Sequence, residues 1–98
     1  MGSNGDTGGD TERAIVRFRP GVKFRFDETR QAWIVLAPER LLLPDEIAVE
    51  VLKRIDGLRT VGQVIDDLAA TFKAPRETIA TDVQAMLGDL AAKGIVTS

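Results

Sequence analysis

From Val22 onward the chain alternates, with apolar Val22, Phe24 and Phe26 separated by charged Lys23 and Arg25. A period of two puts the apolar set on one face and the charged set on the other, which predicts a half-buried β-strand. The polar DETRQ that follows is a turn, and AWIVL supplies a second strand rich in β-branched and aromatic side chains. Trp33 and Val35 should share one face of it, Ile34 and Leu36 the other. Ala37-Pro38-Glu39-Arg40 makes a second tight connection, because proline presets the turn and cannot donate to a ladder. The third strand, RLLL at 40–43, has leucines on both faces, Leu42 on one and Leu41 and Leu43 on the other. The three strands are expected to form an antiparallel meander, and only one of its faces can be the core.

At Pro44 the period becomes that of a helix. Proline suits a first helical position, Asp45 and Glu46 suit the positive end of the helix dipole, and Ile47, Val51, Leu52 and Ile55 recur at spacings of three and four. Gly57 is expected to end this helix as a left-handed cap. Thr60-Val61-Gly62-Gln63 matches a capping box and opens a second helix with the apolar face Val64, Ile65, Leu68, Ala69 and Phe72. A break at Lys73-Ala74 precedes Pro75 and a third helix, whose stripe is Ile79, Val83, Met86, Leu87 and Leu90 and whose end is Gly94. Ile95 and Val96 should fold back onto the core. The fold class is therefore α+β: a three-stranded antiparallel sheet followed by three helices, like a winged helix-turn-helix.

Composition narrows the function. A chain of 98 residues, 44% hydrophobic and 29% charged, supports one domain and one core. Residues 1–13 open with MGSNGDTGGDTE, nearly without apolar side chains, and read as a disordered tail or linker, leaving 14–98 as a single domain. No apolar run approaches the roughly 20 residues of a membrane span, no signal-peptide pattern opens the chain, and there is no cysteine, so the expected location is the cytoplasm. Histidine, cysteine and tyrosine are all absent, and the two serines are Ser3 and Ser98 near the chain ends. The commonest metal ligands, nucleophiles and general bases are thereby missing, so no catalytic residue, metal or cofactor is expected.

A winged-helix layout raises DNA binding through the last helix. Charge speaks against it. From Pro75 to Gly94, Arg76 and Lys93 face Glu77, Asp82 and Asp89, and the second helix sets Lys73 against Asp66 and Asp67. Such helices do not neutralise phosphates. The basic run Arg13, Arg17, Arg19, Lys23 and Arg25 is a solvated face that would also suit an acidic protein partner or nucleic acid. A DNA-binding transcriptional regulator is kept as the alternative function. What remains is surplus apolar surface on an edge strand, which either a helix of the same chain or an added strand from a peptide would cover.

From Trp33 to Val96 the chain carries LAPE before the third strand, an aliphatic run into the first helix, IDG, TV at the second helix start and DV within the third helix. In this order and spacing it resembles the pyrroloquinoline quinone biosynthesis protein D (PqqD) family, with Pro44 departing from the polar residue expected at the first helix start. The resemblance implies a chaperone-like recognition element for a ribosomally made, modified peptide. It implies binding of the precursor peptide PqqA and its delivery to the radical S-adenosylmethionine enzyme PqqE, which cross-links a glutamate to a tyrosine in that peptide. It also implies that the peptide lies as an added strand against the third strand, in the groove formed with the third helix. On that basis Arg40, Leu41, Leu42 and Leu43 should pair with the peptide, and Ile79, Asp82, Val83 and Met86 should form the helix side. Members of the family also occur fused behind the oxidase PqqC that finishes the cofactor.

Overall fold

The computed structural model describes residues 12–98; the tail expected at residues 1–13 lies, apart from Glu12 and Arg13, outside the described residues. The elements are β1 (Arg17–Phe18), β2 (Lys23–Asp27), β3 (Ala32–Ala37), β4 (Arg40–Leu42), α1 (Glu46–Lys53), α2 (Val61–Phe72), α3 (Arg76–Ala92) and β5 (Val96–Thr97). The sheet β2-β3-β4 is antiparallel throughout, with Phe24 opposite Val35, Phe26 opposite Trp33 and Val35 opposite Leu42. This register puts Phe24, Trp33, Val35 and Leu42 on one face. The alternation in the sequence is therefore realised as read. A second, two-stranded sheet pairs β1 with β5, joining Phe18 to Val96, and Arg19 N–H donates to the Ile95 carbonyl at 3.0 Å. Ile95 and Val96 do return to the core, and they do so as one side of a clasp between the two ends of the domain.

The core lies between the sheet and the helices. Val35, Val51, Leu52, Val61, Ile65, Leu68 and Val83 are almost wholly removed from water. Phe24 and Leu42 pack against this cluster from the sheet, Phe18 from β1 and Met86 from α3. Phe24 stacks on Trp33 with centroids 4.8 Å apart, Phe26 meets the same indole edge-on at 5.8 Å, and Lys53 Nζ sits 5.2 Å from its ring centre. Trp33 is thus a structural residue bridging sheet and α1. The opposite face of the sheet is not bare, for Ile34 is 1% exposed although it lies outside the main cluster.

Several helix limits differ from expectation. Asp45, not Pro44, stands at the N-cap of α1: its backbone is extended and its carboxylate accepts from the Ala48 amide at 2.8 Å, which leaves Pro44 one residue before the cap. The helix stops at Lys53 rather than running to Gly57. Arg54 ends it by donating from its side chain to the Glu50 carbonyl at 2.8 Å and carboxylate at 2.9 Å, and by reaching Asp67 on α2. Gly57, at φ 77°, shapes the following bend instead. The capping box of α2 is present in both directions, Gln63 N–H to Thr60 Oγ1 and Thr60 N–H to Gln63 Oε1. Lys73 closes α2 in the left-handed region at φ 52°.

Three residues expected on buried faces are not covered, and Phe26, 40% exposed on β2, is the first of them. Ile47 is 52% and Phe72 is 46% exposed. Ile47 and Phe72 stand at the start of α1 and the end of α2, where they border an open hollow with α3 instead of packing into it. Val49 takes up burial on α1 instead.

The β2–β3 turn is organised by Asp27, whose carboxylate accepts from Thr29 N at 3.0 Å and from Arg30 Nη1 at 2.7 Å. The Arg30 hydrogen bond, above all, holds this carboxyl below the usual aspartate range, backbone amides adding to it against a smaller cost of burial. Because the folded value is depressed, the stabilisation is complete above the unfolded value near 3.9 and is lost as pH falls through the folded one. Urea midpoints of wild type and Asp27→Asn should therefore differ near neutral pH and draw together only as pH falls below the ordinary aspartate range, through the depressed folded value. A gap that stayed constant with pH would show that the charge contributes nothing.

Candidate functional site

Among the described residues β4 is an edge strand, paired only with β3. The two-residue turn at Pro38-Glu39 leaves Ala37 opposite Arg40, Leu36 opposite Leu41 and Val35 opposite Leu42. A turn of this kind points the Arg40 amide back at Ala37, and an antiparallel ladder then alternates. Counting along it, the backbone groups of Leu41 face away from β3, towards an empty position for one more strand.

The side chains divide the other way. Leu42 lies on the core face and is half-buried, and Leu43, beyond the strand end, is 63% exposed. Both line a groove of about 440 Å³ whose floor includes Val35 and Leu52 and whose far wall is α3, with Met86, Asp89, Leu90 and Lys93. Asp45 and Ala48 of α1 line it too. Leu41 is 41% exposed and belongs to the opposite face, across from Leu36. Arg40 is exposed at the start of β4 and does not line the groove.

Of the helix residues named from the sequence, Met86 alone lines this groove. Ile79, Asp82 and Val83 lie nearer the start of α3 and line a separate hollow of about 270 Å³ together with Ile47, Leu68 and Phe72. Val83 is 1% exposed, so it is a wall of that hollow and a core residue at once. Sequence reasoning missed Asp89 and Lys93, although the spacing Met86, Asp89, Leu90, Lys93 is the three-and-four period of one helix face. The residues named for the helix side, Ile79 to Met86, came from the family resemblance and stopped one turn short of them. Lys93 Nζ meets Asp89 Oδ2 at 2.9 Å, and this pair, with Asp45 across from α3, gives a mostly apolar channel its charged groups.

The cations of α3 are engaged with acids: Lys93 with Asp89, and Arg76 with Asp66 on α2 at 2.5 Å and with Glu12 at 2.8 Å. These ion pairs leave α3 no outward positive stripe for a nucleic-acid groove, and the DNA-reading alternative loses its recognition helix. Among the described residues no helix is long and apolar enough to cross a membrane.

Residues 32–96 match the family model for coenzyme PQQ synthesis protein D (PqqD). The chain belongs to the PqqD family. A PqqA binding protein of Bradyrhizobium diazoefficiens is 63% identical over 75 residues, which cover 76% of this chain and 73% of that one. The PqqA binding protein of Gluconobacter oxydans is 40% identical over 85 residues, 87% of this chain and 88% of that one. Among solved structures, the PqqD truncation of Methylobacterium extorquens PqqCD, described as a functional, stand-alone recognition element for ribosomally synthesised, modified peptides, superimposes with a TM-score of 0.76. It is 39% identical, with 89% of this chain and 93% of that chain covered. The crystal structure of PqqD from Xanthomonas campestris gives 0.54 at 40% identity, covering 76% and 83%. The sheet of three antiparallel strands followed by three helices is thus the PqqD fold, and β4 with α3 is the strand and helix to which the family resemblance points.

Proposed function

We propose that this chain binds the precursor peptide PqqA by strand addition at β4 and presents it to the radical S-adenosylmethionine enzyme PqqE in the cytoplasm, with no chemistry of its own. The observation that carries this reading is the open edge of β4 beside an apolar groove on α3. Two relatives named as PqqA binding proteins, and a recognition-element structure that superimposes on it, support the choice of peptide. That same structure comes from a PqqCD chain, which supports an association with the oxidase PqqC in some family members.

In this reading the outward-facing backbone groups of the segment Arg40 to Leu43, those of Leu41 above all, supply the hydrogen bonds, Leu42, Leu43 and Met86 supply apolar contact, and Ile79, Asp82 and Val83 continue the surface along α3. Main-chain pairing gives affinity and side-chain pockets give register. Holding the peptide extended raises its local concentration at the enzyme and lowers the entropic cost of productive docking. The test is amide chemical-shift mapping of the full chain titrated with synthetic PqqA. The largest changes should fall on residues 40–43 and on the second half of α3. Changes confined to β1, β2 and α2 would overturn the groove.

A further inference from the structure

We infer that the hollow at the start of α3 is a second, side-chain-sized subsite, which takes one bulky apolar side chain of the same peptide that pairs with β4. The inference rests on the peptide-binding reading above and adds a sequence requirement to it. Leu68 and Val83, at 2% and 1% exposure, form its floor, and Ile47 and Phe72, at 52% and 46%, form its rim with half-buried Ile79. A rim this exposed over a buried apolar floor gains from being covered. Small-molecule pockets run about 300–1,000 Å³, so a hollow of about 270 Å³ suits one side chain better than a ligand.

Continuity with the groove identifies the occupant. Both depressions share α3 as a wall, the groove around Asp89 and the hollow around Asp82. These residues are two helical turns apart, about 10 Å. An extended chain covers that in about three residues. A peptide that follows α3 from the groove therefore spans the distance to the hollow with about three extended residues. Asp82 is the only ionisable group in the lining and has no ion pair among the described residues, which disfavours an acidic side chain there, while the apolar remainder of the lining, Ile47, Leu68, Phe72, Ile79 and Val83, suits a large aliphatic or aromatic one.

The experiment is isothermal titration of the full chain with synthetic PqqA, comparing wild type with Ile47→Ser and Phe72→Ser, and wild-type peptide with an alanine scan of it. Both protein positions are exposed, so melting temperatures should be kept, and circular dichroism checks this. Each serine variant should weaken binding roughly 10- to 100-fold, the value of one buried apolar side chain. One bulky peptide residue about three positions outside the strand-paired segment should lose as much as alanine, and that peptide should no longer distinguish Phe72→Ser from wild type. Unchanged affinity in both serine variants, with the loss caused by Leu41→Pro retained, would overturn the subsite and leave strand addition standing. Loss in none of the three would reject strand addition at β4 together with the subsite and place the peptide elsewhere on the domain. Altered self-association on sedimentation, with peptide affinity unchanged, would assign the hollow to a second copy and also overturn the subsite.

Discussion

Leu41→Pro should weaken PqqA binding by roughly 10- to 100-fold while the domain stays folded. The Leu41 amide points away from β3, so proline there removes a donor from the open edge without taking one from the β3–β4 ladder. Loss of a main-chain hydrogen bond is worth about 1 kcal/mol, and the ring adds a steric cost to any strand laid against it. The same change at Leu42 is a poorer test, since that amide faces Val35 and the side chain packs on the core. Leu41→Ala keeps the amide and removes a side chain that belongs to the other face of the sheet, so its effect should be several-fold smaller. Titration calorimetry with synthetic PqqA measures both. Equal losses in the two variants would mean that the leucine side chain, not the backbone edge, meets the peptide.

Ile65→Ala should cost about 2–5 kcal/mol of folding stability, the range for truncating a large aliphatic side chain at a fully buried site. Ile65 is 0% exposed in the middle of α2, within the cluster that joins the sheet to all three helices. A domain of this size has only about 5–15 kcal/mol in total, so the variant should be partly unfolded at moderate temperature. Urea denaturation gives the number directly. Saturating peptide should recover part of the loss, because a ligand that binds only the folded state adds stability by mass action. A cost under about 1 kcal/mol would show that the helices close over the missing side chain.

The strand and helix order was legible before any coordinates, because a period of two and a period of three to four report which element can bury an apolar face. Val22 to Phe26, AWIVL and the capping box at Thr60 are cases where the local pattern and the tertiary fold agree. Burial was less legible at the ends of elements. Ile47 and Phe72 carry the right spacing for the core, but spacing says only which way a side chain points, and both point into a hollow against α3 that the domain leaves open. Gly57 illustrates the same limit: a glycine suited to ending α1 was pre-empted by Arg54, whose guanidinium finds Glu50 on its own helix and Asp67 on another. The pairing of β1 with β5 was out of reach because each strand is only two residues long and their partners are at opposite ends of the sequence.

By itself the sequence determined that PERLLLP is a short strand bounded by prolines, with leucines on both faces, in a chain whose residue types offer little for catalysis. Its resemblance to PqqD pointed to β4 and α3. Which leucine does what was decided only by tertiary structure. Register against Val35 sends Leu42 to the core side, the lack of a strand beyond β4 among the described residues leaves the backbone of Leu41 open, and the end of the strand releases Leu43 into the groove. The division of the α3 residues between a groove at Met86 and a hollow at Ile79 and Val83 depends likewise on where α1 and α2 end. Periodicity orients a side chain about its own element, whereas a binding surface is made where neighbouring elements stop.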